Sequence, residues 1–138
     1  MATDPVPALR LAVLALLRAG GGPTLDSQPV PIWDGLAPDI DDDLPAVVIL
    51  EEIELGESQT KDGGPRTADV DIITVVDSRS LADAERLAAQ IYARLEGVKP
   101  TITGHASSQF NCTYSRTESA GEQGLTKVSR QTWRLRIL

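Results

Sequence analysis

Residues 67–97, TADVDIITVVDSRSLADAERLAAQIYARLEG, carry two different periods in succession. Ala68, Val70, Ile72 and Val76 alternate with Asp69, Asp71 and Val75, and Ile73 and Thr74 thicken the run. That is the pattern of a strand buried well on one face and partly on the other. Asp77-Ser78-Arg79-Ser80 breaks the period. Ser80 is placed to hold a free amide at a helix start, and Asp83 sits where the helix dipole is positive. Leu81, Ala84, Ala88, Ile91 and Leu95 then recur at spacings of three and four, one apolar stripe of an amphipathic helix. Gly97 and Pro100 end it. The helix is expected to lie on the sheet that holds the strand, and nothing in either element has the look of catalytic chemistry.

Upstream, Ala46 to Leu55 reads as a second strong strand. Strict alternation puts Val47, Ile49, Ile53 and Leu55 on one face with Glu51, and Val48, Leu50, Glu52 and Glu54 on the other. Residues 56–66 between the two strands read as a flexible hairpin loop, a length at which loops in compact domains tend to carry function. Nearer the N-terminus, Thr3 or Asp4 can cap a first helix with Pro5 in its first turn, and Leu9, Val13, Leu16 and Leu17 give that helix an apolar side. Gly20-Gly21-Gly22-Pro23 stops it, and residues 20–31 read as a loop. Ile32-Trp33-Asp34 is a short extended piece that Trp33 is expected to anchor to the core. Downstream, Phe110, Cys112 and Tyr114 fall on one side of an alternating segment. Gln131, Trp133, Leu135 and Ile137 then oppose Arg130, Thr132, Arg134 and Arg136 in the last one, and the two segments are expected to pair as an antiparallel hairpin. The order α-β-β-β-α-β-β predicts an α+β fold: a mainly antiparallel sheet of four to five strands, with two helices packed on one face, in a single domain over residues 1–138.

The composition is that of a globular protein with an aliphatic core: 41% hydrophobic and 24% charged residues in a 138-residue chain, with aromatics at only 4%. The apolar run Leu11–Leu17 is too short to cross a bilayer, and Asp4 and Pro5 precede it where a signal peptide would be basic. The single cysteine, Cys112, reads as a small buried apolar residue in a reducing compartment. Charge is unevenly spread. Between Arg18 and Lys61 there is no cation but there are ten acids, so the rest of the chain is net +3 although the whole is −7. The acidic half is unsuited to a phosphate backbone, so no sequence-specific nucleic acid is expected as a partner. It suits either a solvated surface or a dock for a basic partner.

Motifs that carry chemistry are sparse. His105 stands alone in a turn-like Gly104-His105-Ala106 context without companions at zinc-ligand spacing. Asp39-Ile40-Asp41-Asp42-Asp43 lacks the glycine and distal glutamate of a calcium loop, and Lys61-Asp62-Gly63-Gly64 is not a phosphate loop. No metal site, cofactor or catalytic group is assigned. The basic row Arg130, Arg134 and Arg136 has two readings, an edge strand kept soluble by charge or a contact for an acidic surface. Because an acidic stretch lies on the same molecule, a ring in which one subunit's basic edge meets its neighbour's acidic face is one arrangement.

Val6 to Leu17, Ile32 to Pro38, Pro45 to Leu50, Ala68 to Val76, Ser80 to Gly97 and Thr132 to Leu135 follow one another in the order and lengths of a known family. In this succession the chain resembles the tail terminator, tail completion or head–tail joining proteins of long-tailed phages and gene transfer agents. It departs from that pattern at Ala46, where relatives often carry an aromatic, and at Val75-Val76-Asp77, where a Trp-Ser pair is common. The resemblance implies a non-enzymatic virion assembly protein in the head-proximal end of the tail, assembled in the host cytoplasm. Its implied partners are itself, in a ring typically of six, the tail tube protein and the head–tail connector protein, with no membrane. On that reading Asp39, Asp41, Asp42, Asp43, Glu52 and Glu54 are candidates to face a DNA channel. Ser58, Thr60, Lys61, Asp62 and Arg66 are candidates to order against a tube or connector protein, and Arg130, Arg134 and Arg136 to contact an acidic surface. Alternatives at this stage are another head–tail connector or head-closure component, or a small carboxylate-dependent hydrolase.

Overall fold

A computed structural model describes residues 4–35, 46–56, 64–77, 80–120 and 126–138. The first helix, α1, runs Val6–Arg18, and the Asp4 carboxylate accepts the Val6 amide at 3.0 Å at its start. It buries Leu9, Ala12, Val13, Leu14 and Leu17. Gly20, Gly21 and Gly22 follow with φ of 65°, 89° and 81°, a left-handed run that side-chain-bearing residues rarely adopt, so the chain reverses sharply there. The stretch expected as plain loop contains a two-residue hairpin, β1 (Thr24–Leu25) and β2 (Gln28–Pro29). Asp26 and Ser27 make its turn at φ 50° and 67°, the left-handed pair that short hairpins require. Sequence pattern misses it because two-residue strands have no measurable period.

The main sheet has five strands in the order β3-β4-β5-β7-β6. These are β3 (Ile32–Asp34), β4 (Ala46–Leu55), β5 (Arg66–Asp77), β6 (Asn111–Ala120) and β7 (Thr126–Ile137). All neighbours are antiparallel except β3, which lies parallel to β4 with Ile32 opposite Val48 and Trp33 opposite Ile49. That register corrects the expectation for Trp33. Ile32 packs on the core, while Trp33 turns to the other face and its indole Nε1 has no acceptor among the described residues.

Helix α2 (Leu81–Leu95) starts as the sequence indicates, with Ser80 Oγ accepting the Ala82 amide at 3.1 Å. Gly97 at φ 72° turns the chain away, and its amide donates to Phe110 O at 3.1 Å. The buried stripe is Ala84, Leu87, Ala88, Ile91 and Leu95. Leu81, expected on it, is 41% exposed. Both helices cover one face of the sheet. Their buried side chains form one cluster with Ala46, Val48 and Leu50 of β4, Ala68, Val70, Ile72 and Val76 of β5, and Trp133, Leu135 and Ile137 of β7. Polar ties lock this layer. Arg94 of α2 donates to Ala19 O at 2.5 Å beyond the end of α1, and Gln90 clamps the Thr24 backbone, donating at 2.6 Å and accepting at 2.9 Å. Arg10 of α1 pairs with Asp34 of β3 at 2.6 Å. Buried Gln131 donates to Ala88 O at 3.0 Å and accepts from the Trp133 indole at 3.1 Å.

Two bulges correct the strict alternation read from the sequence. Leu50 opposes Ile72, but Glu52 opposes Asp71, leaving Glu51 as an extra residue in β4. The phase flips there, so Ile53 and Leu55 pack against the core with Leu50 instead of sharing a face with Glu51. In β6 Thr113 is the extra residue: Cys112 opposes Trp133 and packs on the core, while Tyr114 opposes Thr132 on the far face and is 46% exposed. Cys112 is half-buried, as its apolar reading expects, and burial pushes its thiol above the ordinary value.

Candidate interaction surface on the helix-free face

The sheet face turned away from the helices is crossed by four rows, read from β4 through β5 and β7 to β6. They are Val47–Val75–Val128–Glu118, Ile49–Ile73–Arg130–Arg116, Glu52–Asp71–Thr132–Tyr114 and Glu54–Asp69–Arg134–Asn111. One end is apolar: Val47 and Ile73 are buried, and Ile49, Val75 and Val128 are half-buried, beside Trp33. The other end is charged: carboxylates gather there on β4 and β5, while arginines run along the β7–β6 side of the face, with Glu118 beside them. Four carboxylates stand in a two-by-two block on β4 and β5, with Glu52 directly opposite Asp71 and Glu54 directly opposite Asp69. On the β7–β6 side Arg130 stands directly opposite Arg116. Arg136 lies one step beyond Arg134, across from Thr67. Like charges directly opposite on one face weaken a sheet.

Partial compensation comes from across the β5–β7 seam. Arg134 grips Asp69 with Nε at 2.9 Å and a terminal nitrogen at 3.3 Å, and this bond holds the guanidinium above its ordinary pKa. Thr132 Oγ1 donates to Asp71 at 2.8 Å. Arg130 reaches Glu51 only at 3.9 Å, and Arg116 reaches Glu118 at 3.4 Å; Arg130, Glu51 and Arg116 are exposed and Glu118 is half-buried. Among the described residues, Glu52, Glu54 and Arg136 have no partner and are exposed.

The structure therefore places the candidate residues unequally. Glu52, Glu54, Arg130, Arg134 and Arg136 share this one face. The edge-strand reading of the arginines is overturned, because β7 lies between β5 and β6 and the edges are β3 and β6. Arg66 serves a different end. Its Nε donates to Gly56 O at 2.8 Å, and the Gly56 amide donates to Thr67 O at 2.7 Å, so together they close the base of the β4–β5 connection. Asp39, Asp41, Asp42, Asp43, Ser58, Thr60, Lys61 and Asp62 lie outside the described residues. The sequence reading missed Asp69 and Asp71 as members of the acidic block. Their alternation with Ala68 and Val70 was the available signal, since it assigns them to the same outer face.

A second feature is a cleft of about 400 Å³ at the opposite end of the sheet, floored by Leu25, Val30, Ala46 and Val76 and rimmed by Asp26, Asp77 and Asp83. Arg86 pairs with Asp83 and, at 3.5 Å, with Asp26, so two of the three rim acids are already engaged. Among the described residues no group of three or more His, Cys, Asp or Glu side chains is arranged to hold a metal ion, and no helix is long and apolar enough to cross a membrane.

No protein-family model and no curated protein matches this chain. Solved structures do. One chain from the virion of a native gene transfer agent particle superposes with a TM-score of 0.78 at 18% identity, covering 99% of this chain and 98% of that one. At that identity the likeness establishes a shared fold, over essentially the whole length of both chains.

Proposed function

We propose that this protein is a structural component of a phage-type virion, and within it a tail terminator: a ring that caps the head-proximal end of the tail tube, ends tube polymerisation and docks to the head connector. The observation that carries the reading is the two-way, nearly complete superposition on a chain of a gene transfer agent virion. The element order adds to it in part: apart from the hairpin Thr24–Pro29, it follows the succession on which the tail-terminator resemblance rests. The rigid helix-backed sheet then serves geometry, and recognition is assigned to its helix-free face, to the acidic run Asp39–Asp43 and to the β4–β5 connection.

The test is tube length. Tail tube protein polymerised with this protein should give shorter tubes, capped at one end by a ring in electron micrographs. Tubes of unchanged length with bare ends overturn the terminator assignment, and binding to the connector alone moves the protein to the head side of the joint. Deleting Ser58 to Gly64 sharpens the test. The bonds that close the base of that connection use Gly56, Arg66 and Thr67, all outside the deletion, so folding is expected to survive while head–tail joining is impaired. Charge reversal at Asp41, Asp42 and Asp43 tests the channel assignment, which requires DNA delivery to fail.

A further inference from the structure

The two edges of the main sheet are unlike. One, β3, is three residues long, whereas the other, β6, is ten. The outer side of β6 is closed at its start. There Phe110 donates to Val98 O at 2.8 Å and accepts from the Gly97 amide at 3.1 Å, and the Glu96 carboxylate takes the Cys112 amide at 3.3 Å. Past the bulge at Thr113, among the described residues, no backbone bonds to the outer side of residues 115–120. Successive residues of a strand turn their backbone groups to alternate sides, so about half of this run presents its N–H and C=O outward. Native edges are commonly blunted by lysine, proline or an inward-pointing charge. The run SRTESA has neither lysine nor proline, and its two charges, Arg116 and Glu118, lie on the helix-free face.

On the helix side this open edge borders a groove. Ser115 and Thr117, across from Gln131 and Ser129, form one wall of a depression of about 220 Å³, and Glu85, Ala89 and Tyr92 of α2 form the other. Glu85 is exposed and has no partner among the described residues, and Tyr92 is 43% exposed. A strand laid along β6 turns every second side chain toward this groove. A lysine or arginine there rests its apolar stem on Ala89 and the Tyr92 ring and brings its charge to Glu85. We infer that an extended segment of another protein, with a lysine or arginine on one face, adds to the sheet along residues 115–120 of β6. A second copy of this chain is the poorer fit: the helix side of its β6 offers Cys112, Ser115, Thr117 and Ser119, none of them cationic, and it brings another Glu85. This contact lies on a different surface from the helix-free face and does not depend on the tail assignment.

The probe is a capped synthetic peptide long enough to span residues 115–120, threonine alternating with valine and a lysine at its centre. Titrated into the full chain at low ionic strength, it should shift the backbone NMR signals of residues 115–120 and slow hydrogen exchange at their outward amides. The same peptide methylated on every backbone nitrogen should not bind, because it cannot donate to the edge. Glutamate in place of the lysine should weaken binding about fivefold, and the Glu85→Lys variant should reverse that preference. Glu85 is exposed and unpaired among the described residues, so this variant is expected to fold. Signals of residues 115–120 that do not move overturn the inference. Equal binding of the methylated peptide overturns strand addition, and equal binding of the lysine and glutamate peptides overturns the basic occupant. A chain that pairs with itself through β6 and excludes the peptide overturns the foreign strand. The tube-length assay is untouched by any of these results.

Discussion

On the helix side of the sheet the row Leu50–Ile72–Gln131 ends in contact with α2 through the Gln131–Ala88 bond. One step along the same strands, Glu52–Asp71–Thr132–Tyr114 faces away from any helix. The first row is fixed by burial: Leu50 and Ile72 are at most 1% exposed, and the one amide among them has both ends bonded. The second is fixed by charge and is only partly satisfied. Burial of apolar area is non-directional and large, whereas exposed ion pairs contribute little each. The helix side therefore determines whether the chain folds, and the charged side is free to be shaped by what it meets.

The sharpest way to break that contrast is to strike the helix side at its largest buried group. Trp133 is fully buried, opposes Cys112 and Val70, and its ring centroid lies 5.3 Å from that of Tyr92. Trp133→Ala should cost about 3–5 kcal/mol, read as a lower denaturant midpoint at unchanged slope. Next comes Gln131→Ala, which orphans the indole N–H and takes from the mid-helix Ala88 carbonyl the bond it accepts beyond its helical one. A loss of about 1–3 kcal/mol is expected from their unmet hydrogen bonding, and a loss near zero would show that the tie is not structural.

Legibility in the sequence follows the same divide. Ala68 to Val76, the cap at Ser80 and the alternation of Gln131 to Ile137 could all be read because burial writes a period into sequence. The two bulges could not be read from alternation alone, since an extra residue in one strand is defined only against its partner. The hint at the first was the doubled Glu51-Glu52, which strict alternation forces into placing Ile53 with an acid. At the second, Cys112-Thr113-Tyr114 gave no hint, because Tyr114 is as acceptable inside as outside. The charged surface was half legible: Arg130, Arg134 and Arg136 were visible as a row, but their neighbours Asp69 and Asp71 are brought beside them by the β5–β7 pairing, about sixty residues apart in the chain.

Smaller effects are expected on the charged side, and their signs differ. Arg134→Ala removes the grip on Asp69, but with the side chain 53% exposed the loss should be small and shrink further in salt. Glu54→Gln should act in the opposite direction. It deletes one of two directly opposed acids without creating a cavity, so the monomer should gain on the order of a few tenths of a kcal/mol. A measurable loss instead would mean that Glu54 contributes to the fold, and would remove the reason to look for its partner in another molecule.

The least energetic test lies at the seam between the two regimes. Tyr92 stands on the helix layer against Trp133, yet it is 43% exposed, and the first cause of its raised phenol pKa is the negative charge of Glu96, with desolvation second. Glu96 also accepts the Cys112 amide through Oε2 at 3.3 Å, and its charge adds to the rise of the Cys112 thiol, where desolvation leads. Glu96→Gln keeps an acceptor oxygen and removes only the charge. In an absorbance titration the phenol should then move down toward its ordinary value near 10, while the thiol, governed by burial, should move less. The sign for stability follows from the raised phenol. The native state holds its proton where the unfolded chain has begun to lose it. The contribution is therefore complete below the unfolded pKa and fades as pH climbs through the native one. At neutral pH the substitution should leave the phenol's contribution to stability untouched. Equal shifts of phenol and thiol would show that charge, not burial, governs both groups at this edge of the helix layer.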